Sequence, residues 1–267
     1  MFVEMEIADL GIVRSLFRGH KQYIPVHAVL QGNFPGRVFV DDTQHPAVAV
    51  VWALSRWAYI EGNYEHEQVL RLLPDLISRV IIPDSQRMNV NWFELYAPNT
   101  QAWVRVLDEC FHTFDSGRHY ENVYVWDEPT YDRFRAEYSF SDAIIPELSE
   151  VPILPERMRT SPFISATFRS CTAVGCTVRV DDVAVALCRS NGLAAGDEFM
   201  IDVVTFDKNS RGKGYATAAS VGLLDYCREK KLTPLWETTE QNVASQRLAH
   251  KLGFVENETY PVYAIRF

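Results

Sequence analysis

The feature that most limits what this chain can become is an internal echo between its halves. From Gly36 the sequence reads GRVFVDDTQHPAVAVVW, and from Cys176 it reads CTVRVDDVAVALC. Each has an alternating run, a paired Asp turn at Asp41-Asp42 or Asp181-Asp182, and a second apolar run, which is the pattern of a β-hairpin. A second pair of passages follows in the same order. NTQAWVRVLDECF, from Asn99 to Phe111, and NVASQRLAHKLGF, from Asn242 to Phe254, read as helices that begin with Asn at a cap position. Both follow a strand-like run, NWFELYAP and TPLWETT. The order hairpin, long helix, strand, helix, strand therefore occurs twice, and predicts an α/β (α+β) chain of two mixed β-sheets flanked by helices. The boundary is expected between Asp127 and Pro162, where FSDAIIPELSEVPILPERM carries three prolines and no sustained period. The division read from this is residues 1–130, a connector over 131–160 with at most short helices, and residues 161–267.

Composition narrows the function classes. A net charge of -9 argues against a general nucleic-acid binder, which needs a basic footprint, so any anionic ligand must find a local cationic patch. The first residues, MFVEMEIADL, are acidic where a secretory signal is basic. The longest apolar run, AVAVVWAL, is far short of the ~20 residues of a membrane helix. A soluble, cytoplasmic protein without a membrane partner is expected. The five cysteines (Cys110, Cys171, Cys176, Cys188, Cys227) are odd in number, scattered and without CxxC spacing, so they read as small buried side chains and not as a disulfide framework. His112 and His119, with Cys110 nearby, lack metal-ligand spacing, and no metal site is expected.

The most informative stretch for chemistry is FMIDVVTFDKNSRGKGYATAAS in the second half. Glu198 to Thr205 alternates as a strand, and Ala216, Ala219, Ser220, Leu223 and Cys227 recur at three and four, which predicts a helix over Arg211 to Lys231. A loop entering a helix presents free backbone N–H groups and the positive end of the helix dipole, a natural anion site. Gly212 and Gly214 let a diphosphate approach the backbone, and Lys208, Arg211 and Lys213 add charge. A Walker loop is absent, and a dinucleotide fingerprint fails where Thr217 replaces its third glycine. What remains is Arg211-Gly212-Lys213-Gly214-Tyr215-Ala216, an R-x-x-G-x-A spacing, which a plain basic helix start would also satisfy.

Taken with the PLWETTEQN and NVASQRLAHKLGF that follow, this run resembles the GNAT (GCN5-related) N-acetyltransferase superfamily, in which R/Q-x-x-G-x-G/A binds the pyrophosphate of acetyl-CoA. The whole chain, including LQGNFPGRVFVDD and AYIEGN, further resembles a bacterial branch of similar length that contains an antibiotic-resistance (zwittermicin-type) acetyltransferase. The resemblance implies tandem GNAT-like units, the amino-terminal one degenerate because its candidate helix, EHEQVLRLLPDLISRV, has no basic glycine-bearing start. It implies that Val203, Val204 and Thr205 offer backbone groups to the pantetheine arm, that Arg211, Gly212, Lys213, Gly214, Tyr215 and Ala216 hold the pyrophosphate, and that Asn242 and Ser245 lie near the lower pantetheine. Asn242 reads equally well as a simple helix cap.

An acceptor amine of ordinary pKa is neutral only about once in 10^3 to 10^4 molecules at pH 7, so a general base is useful. Many relatives carry a carboxylate where Met200 stands, and the same-face neighbours Asp202 and Glu198 are the candidate bases, acting through a water. Many also carry a tyrosine proton donor where Ala249 stands, for which Tyr260, Tyr263, Tyr215 or Ser245 would have to substitute. The expected activity is acetyl-CoA-dependent N-acetylation of a small-molecule amine. The alternatives are a CoA-binding sensor without turnover, prompted by Met200 and Ala249, and an acyltransferase using another acyl chain or a peptide acceptor.

Overall fold

The computed structural model describes residues 2–6, 11–54, 56–63, 67–141, 144–162 and 164–267. In chain order its elements are β1 (Val3–Glu4), α1 (Ile24–Leu30), β2 (Gly36–Val40), β3 (Val48–Ala53), β4 (Trp57–Gly62), α2 (Glu67–Leu76), α3 (Ile82–Arg87), β5 (Trp92–Tyr96), α4 (Gln101–Phe111) and β6 (Asp115–Trp126). They continue with α5 (Glu128–Glu137), β7 (Ile145–Pro152), α6 (Glu156–Arg159), α7 (Ala166–Arg169), β8 (Thr172–Val180), β9 (Val183–Ala195) and β10 (Glu198–Thr205). The chain ends with α8 (Tyr215–Lys230), β11 (Thr233–Thr239), α9 (Val243–Lys251) and β12 (Phe254–Arg266). Residues Glu65 and His66 of the expected amino-terminal helix, and Asp142 and Ala143 of the expected connector, lie outside the described residues.

The first of two compact units comprises Met1–Glu121, Pro155–Arg169 and Thr259–Phe267. Its strands follow the order β1-β2-β3-β4-β5-β12-β6. β2, β3 and β4 form an antiparallel meander, and β4 then pairs in parallel with β5 from Trp57↔Glu94 to Tyr59↔Tyr96. The crossover between them is α2, a π turn over Ile77–Ile81, and α3. Pro83 has no amide to offer the carbonyl four residues back, and the helix widens just before it. In the β2–β3 turn, Asp42 Oδ1 accepts from the Gln44 and His45 amides and Asp41 Oδ1 from those of Ala47 and Val48, so the paired Asp forms the turn as its side-chain chemistry predicts. The cap of α4 differs from expectation. Thr100 accepts from the Trp103 amide at 3.2 Å, whereas Asn99 Nδ2 donates to the Thr259 carbonyl at 2.8 Å, so the tertiary bond takes Asn99 and the cap moves one residue on. Trp52, Tyr59, Phe93, Leu95, Tyr96 and Trp103 are buried in this unit.

The second unit comprises Asn122–Leu154 and Ser170–Glu258. Its strands follow the order β12-β6-β11-β10-β9-β8-β7, with β8, β9 and β10 antiparallel and β10 parallel to β11 across the helix α8. The meander, crossover helix and parallel return of the first unit therefore recur, as the duplicated sequence implied. The β8–β9 turn places both Asp181 (φ 49°) and Asp182 (φ 62°) in the left-handed region that two-residue hairpins require and Asp tolerates. The core holds Phe199, Ile201, Ala218, Ala219, Val221, Leu224, Trp236 and Leu252. At Gly222 an added Cβ would lie 2.3 Å from Cys176 Sγ, so α8 approaches the sheet at a distance that only glycine permits. All five cysteines are free, and Cys171 alone of them is not buried. Burial pushes the Cys176 thiol up to about 11 and that of Cys227 to about 12, which fits apolar filling.

The division along the chain is not the one read from composition. Residues 131–160 are no connector: they hold most of α5, the strand β7 and α6. β7 pairs antiparallel with β8 from Ile145↔Arg179 to Pro152↔Thr172 and ends the strand order. A strand at a sheet edge tolerates prolines because one side of its backbone needs no ladder bonds, and Pro146 and Pro152 therefore disguised it.

Candidate functional site

The parallel pairing of β10 with β11 runs from Glu198↔Thr233 to Ile201↔Trp236 and goes no further, although both strands continue. On its other side β10 stays paired with β9 as far as Thr205↔Ala186. Asp202, Val203, Val204 and Thr205 thus line one arm of a wedge beyond the last β10–β11 pair, the kind of strand edge to which an extended chain can add. Beside the opening, Phe199 pairs with Ala194 and Ile201 with Ser190, so Asn191, Gly192 and Leu193 of β9 stand opposite the single residue Met200. This bulge closes on itself: the Gly192 amide donates to Ser190 Oγ at 3.2 Å and the Leu193 amide to Asn191 Oδ1 at 3.0 Å. Gly192 sits at φ 89°. An Asn-Gly dipeptide inside an alternating run is the signal that marks such a bulge, and the sequence reading passed over it.

The loop leaving β10 is exposed from Phe206 to Gly214 apart from Ser210. Asp207 accepts from the Asn209 amide and opens a short turn over Lys208–Ser210. The expected helix over Arg211 to Lys231 begins only at Tyr215, because Gly212 (φ 76°) and Gly214 (φ 83°) are left-handed and outside helical geometry. A Cβ added at either glycine meets nothing within 4 Å. Packing within the protein therefore does not demand glycine there, while the backbone turn does, and the space beside both residues is open. Gly214 is the N-cap of α8 and no side chain caps that end, so the first amides of a 16-residue helix face outward. Lys208, Arg211 and Lys213 are exposed around them. The arrangement suits an anion bound along the loop, with an extended arm leading from it into the wedge.

α9 stands at the end of β11. Asn242 Oδ1 accepts from the Ser245 amide at 3.2 Å, which makes Asn242 the helix cap. Ser245 Oγ accepts from the Trp236 indole at 2.9 Å, and Gln246 Nε2 donates to the Thr239 and Glu240 carbonyls. The two candidate bases separate. Asp202 lies at the mouth of the wedge with Oδ2 3.9 Å from Arg189 Nη2, its partner on β9. Glu198 lies four residues back, about 13 Å along the strand, within the closed pairing with Thr233. Met200 and Ala249 are buried, at 2% and 0% exposure. Tyr263, a possible proton donor, belongs to the first unit, where its hydroxyl is 2.8 Å from Asp108 Oδ1 and 3.1 Å from the Val104 carbonyl. Tyr260 is also in the first unit, with its ring 5.9 Å from that of Tyr96. His119 is not grouped with Cys110 but with Glu94 and Glu121.

Comparison with known proteins bears on this geometry. Residues 160–263 match the model of the GNAT acetyltransferase family, a range that spans the wedge, the glycine loop, α8 and α9. No curated protein sequence matches the chain at a significant level. Among solved structures, a GCN5-related N-acetyltransferase-like protein from Streptococcus suis superimposes with a TM-score of 0.68 at 19% identity, over 97% of this chain and 99% of that one. A tandem GNAT protein from the clavulanic acid biosynthesis pathway, solved without AcCoA, gives a TM-score of 0.62 at 9% identity over 100% of this chain and 98% of that one. A GCN5-related N-acetyltransferase from Sphaerobacter thermophilus gives 0.60 at 13% identity, over 100% and 95%. The chain thus has the fold of GNAT proteins along its whole length, and the part of it that carries the wedge and the glycine loop matches the GNAT acetyltransferase family.

Proposed function

We propose that the chain is an acetyl-CoA-dependent N-acetyltransferase whose second unit binds the cofactor and whose acceptor is an amine on a small molecule. The observation that carries this reading is the succession of an unpaired β10 edge, two left-handed glycines with open space beside them, and an uncapped helix end. When bound, acetyl-CoA supplies an activated acyl thioester. The backbone of Val203, Val204 and Thr205 orients the pantetheine arm as an added strand. The amides and cations from Arg211 to Ala216 hold the pyrophosphate. Asn242 and Ser245 lie at the start of the helix beside β11, and their side chains are already engaged in capping α9 and in binding the Trp236 indole, so they shape the arm's path and do not serve as its chief donors.

Asp202 is the better placed of the two candidate bases, since it is at the mouth of the wedge. Partly exposed and beside Arg189, it is suited to taking a proton from the acceptor through water. Glu198, about 13 Å away along the strand, is too distant to share that task. The net charge of -9 is compatible with an aminated antibiotic or polyamine-like acceptor. Among the described residues no helix is long and apolar enough to cross a membrane.

A second reading is favoured by the buried Met200 and Ala249, apolar where relatives carry acid–base groups: a CoA-binding sensor without turnover. The protein is incubated with acetyl-CoA and a panel of small amines, peptides and polyamines while free thiol is followed, and CoA affinity is measured by calorimetry. Thiol release that requires an amine supports the enzyme. Saturable CoA binding with no release on any acceptor supports the sensor, and release only with peptides or with longer acyl-CoAs moves the acceptor or donor class.

A further inference from the structure

The first unit carries a cluster that the proposed reaction does not use. Glu94 on β5 has Ala264 of β12 as its cross-strand partner, and β12 lies between β5 and β6. Two strand spacings separate β5 from β6, about 10 Å, and the residue between them is alanine, so long side chains from either flank meet above its methyl group. From β6, His119 and Glu121 stand two residues apart and share a face. One ligating atom from each of Glu94, His119 and Glu121 lies within 4.8 Å of the others. His119 Nε2 is 3.2 Å from Glu121 Oε1. That is the edge of a tetrahedron, about 3.3 Å, whose centre holds an ion at bonds of about 2.0 Å. The hydroxyl of Tyr96, also on β5, is within hydrogen-bond reach of both carboxylates, 3.3 Å from Glu94 Oε2 and 3.5 Å from Glu121 Oε2.

Burial points the same way. The Glu121 and His119 side chains are only 9% and 18% exposed, so two carboxylates are drawn together in a poorly hydrated place. An imidazole and two carboxylates converging on one point are the donor set of a zinc-class ion.

We propose that Glu94, His119 and Glu121 bind a divalent transition-metal ion of the zinc class in the first unit, with the remaining coordination position filled by water. The site is independent of the acetyl-transfer reading, because none of its residues belongs to the wedge or the glycine loop. The full chain is stripped with a chelator and titrated with Co2+, read by its visible absorption, and with Zn2+, read by calorimetry. The expected result is one ion per chain at micromolar concentration, with the intense absorption of low-coordinate Co2+. Glu94→Gln, Glu121→Gln and His119→Ala each weaken uptake at least tenfold, whereas His112→Ala leaves it unchanged. Far-ultraviolet circular dichroism of each variant shows whether it is folded, and the nearly isosteric Glu94→Gln keeps the test valid if His119→Ala is not. Absence of uptake below millimolar metal would overturn the proposal. So would uptake that Glu94→Gln and Glu121→Gln leave intact, or that His112→Ala removes.

Discussion

Gly214 gives the sharpest test of the proposed cofactor loop, because the structure separates its effect on stability from its effect on binding. The residue sits at φ 83° as the N-cap of α8, and a Cβ built on it touches nothing within 4 Å. Gly214→Ala therefore meets no steric clash and adds only left-handed backbone strain, roughly 1–2 kcal/mol, which a less flexible unfolded chain offsets by about 0.4–1 kcal/mol. Gly214→Asp carries the same cost at most, since Asp tolerates this region better and a negative charge suits a helix amino terminus. The anion site responds differently. A carboxylate placed among the first amides of α8 would repel the diphosphate of the proposed cofactor, and unit charges at 4 Å repel by about 1 kcal/mol in water and about 4 kcal/mol near a protein surface. The expected loss for Gly214→Asp is about 2–4 kcal/mol of CoA binding, or roughly 30- to 1000-fold in Kd, with Gly214→Ala between it and the wild type. Calorimetric titration with CoA measures the affinity, and urea unfolding without ligand measures stability. Gly222→Ala serves as the opposite control: its Cβ runs into Cys176 Sγ, so it lowers stability by ~1–3 kcal/mol from overpacking while the folded fraction binds CoA normally. An Asp variant at position 214 that binds CoA within threefold of wild type, or whose affinity falls only in step with its stability, would refute the assignment of the loop.

Three further outcomes are expected. Asp202→Asn lowers kcat by at least tenfold with little change in CoA affinity and flattens the acid limb of the pH–rate profile, and a profile identical to wild type removes Asp202 as base. For Glu94→Gln the sign follows from a folded-state pKa of about 7 against an ordinary 4.5: the metal-free protein binds this proton more tightly than the unfolded chain does, so its stability is greatest below about pH 4.5 and falls as pH rises towards 7, by at most about 3 kcal/mol. His119, raised chiefly by its hydrogen bond to Glu121, acts in the same direction, its contribution being complete below 6.5 and lost as pH passes its folded value. Urea unfolding at pH 4.5, 6 and 8 in chelator then shows Glu94→Gln gaining on wild type only at the higher pH; an equal difference at every pH contradicts the raised carboxyl. Finally, Thr100→Ala costs about 1 kcal/mol of stability through loss of the α4 cap. If Thr100→Ala proves neutral, the cap assignment fails.

Local order settled most of the fold. The alternating runs around Asp41-Asp42 and Asp181-Asp182 specify hairpins through short-range backbone geometry, and both are present. The strand at Glu198 to Thr205 and the helix after the glycine loop also follow from neighbouring residues alone, as does the Asn242 cap, whose partner is three residues away. Reading failed where an element depends on distant partners. β7 looked like a connector because its prolines are admissible only at an edge, and edge position is a property of the assembled sheet. Asn99 resembled Asn242 in spacing, but the carbonyl of Thr259 claims its side chain.

The sequence by itself determined the duplicated α/β layout and the basic, glycine-bearing entry into one helix, because periodicity, turn residues and helix-start signals act within a few positions of one another. Only tertiary structure decided that β10 and β11 part after Ile201 and Trp236, that Asp202 rather than Glu198 reaches the opening, and that Glu94 faces His119 and Glu121 across an intervening strand. The physical reason is the same for all three: strand register and strand order are set by pairing between segments remote in the chain, and one step of register or one inserted strand decides which side chains meet.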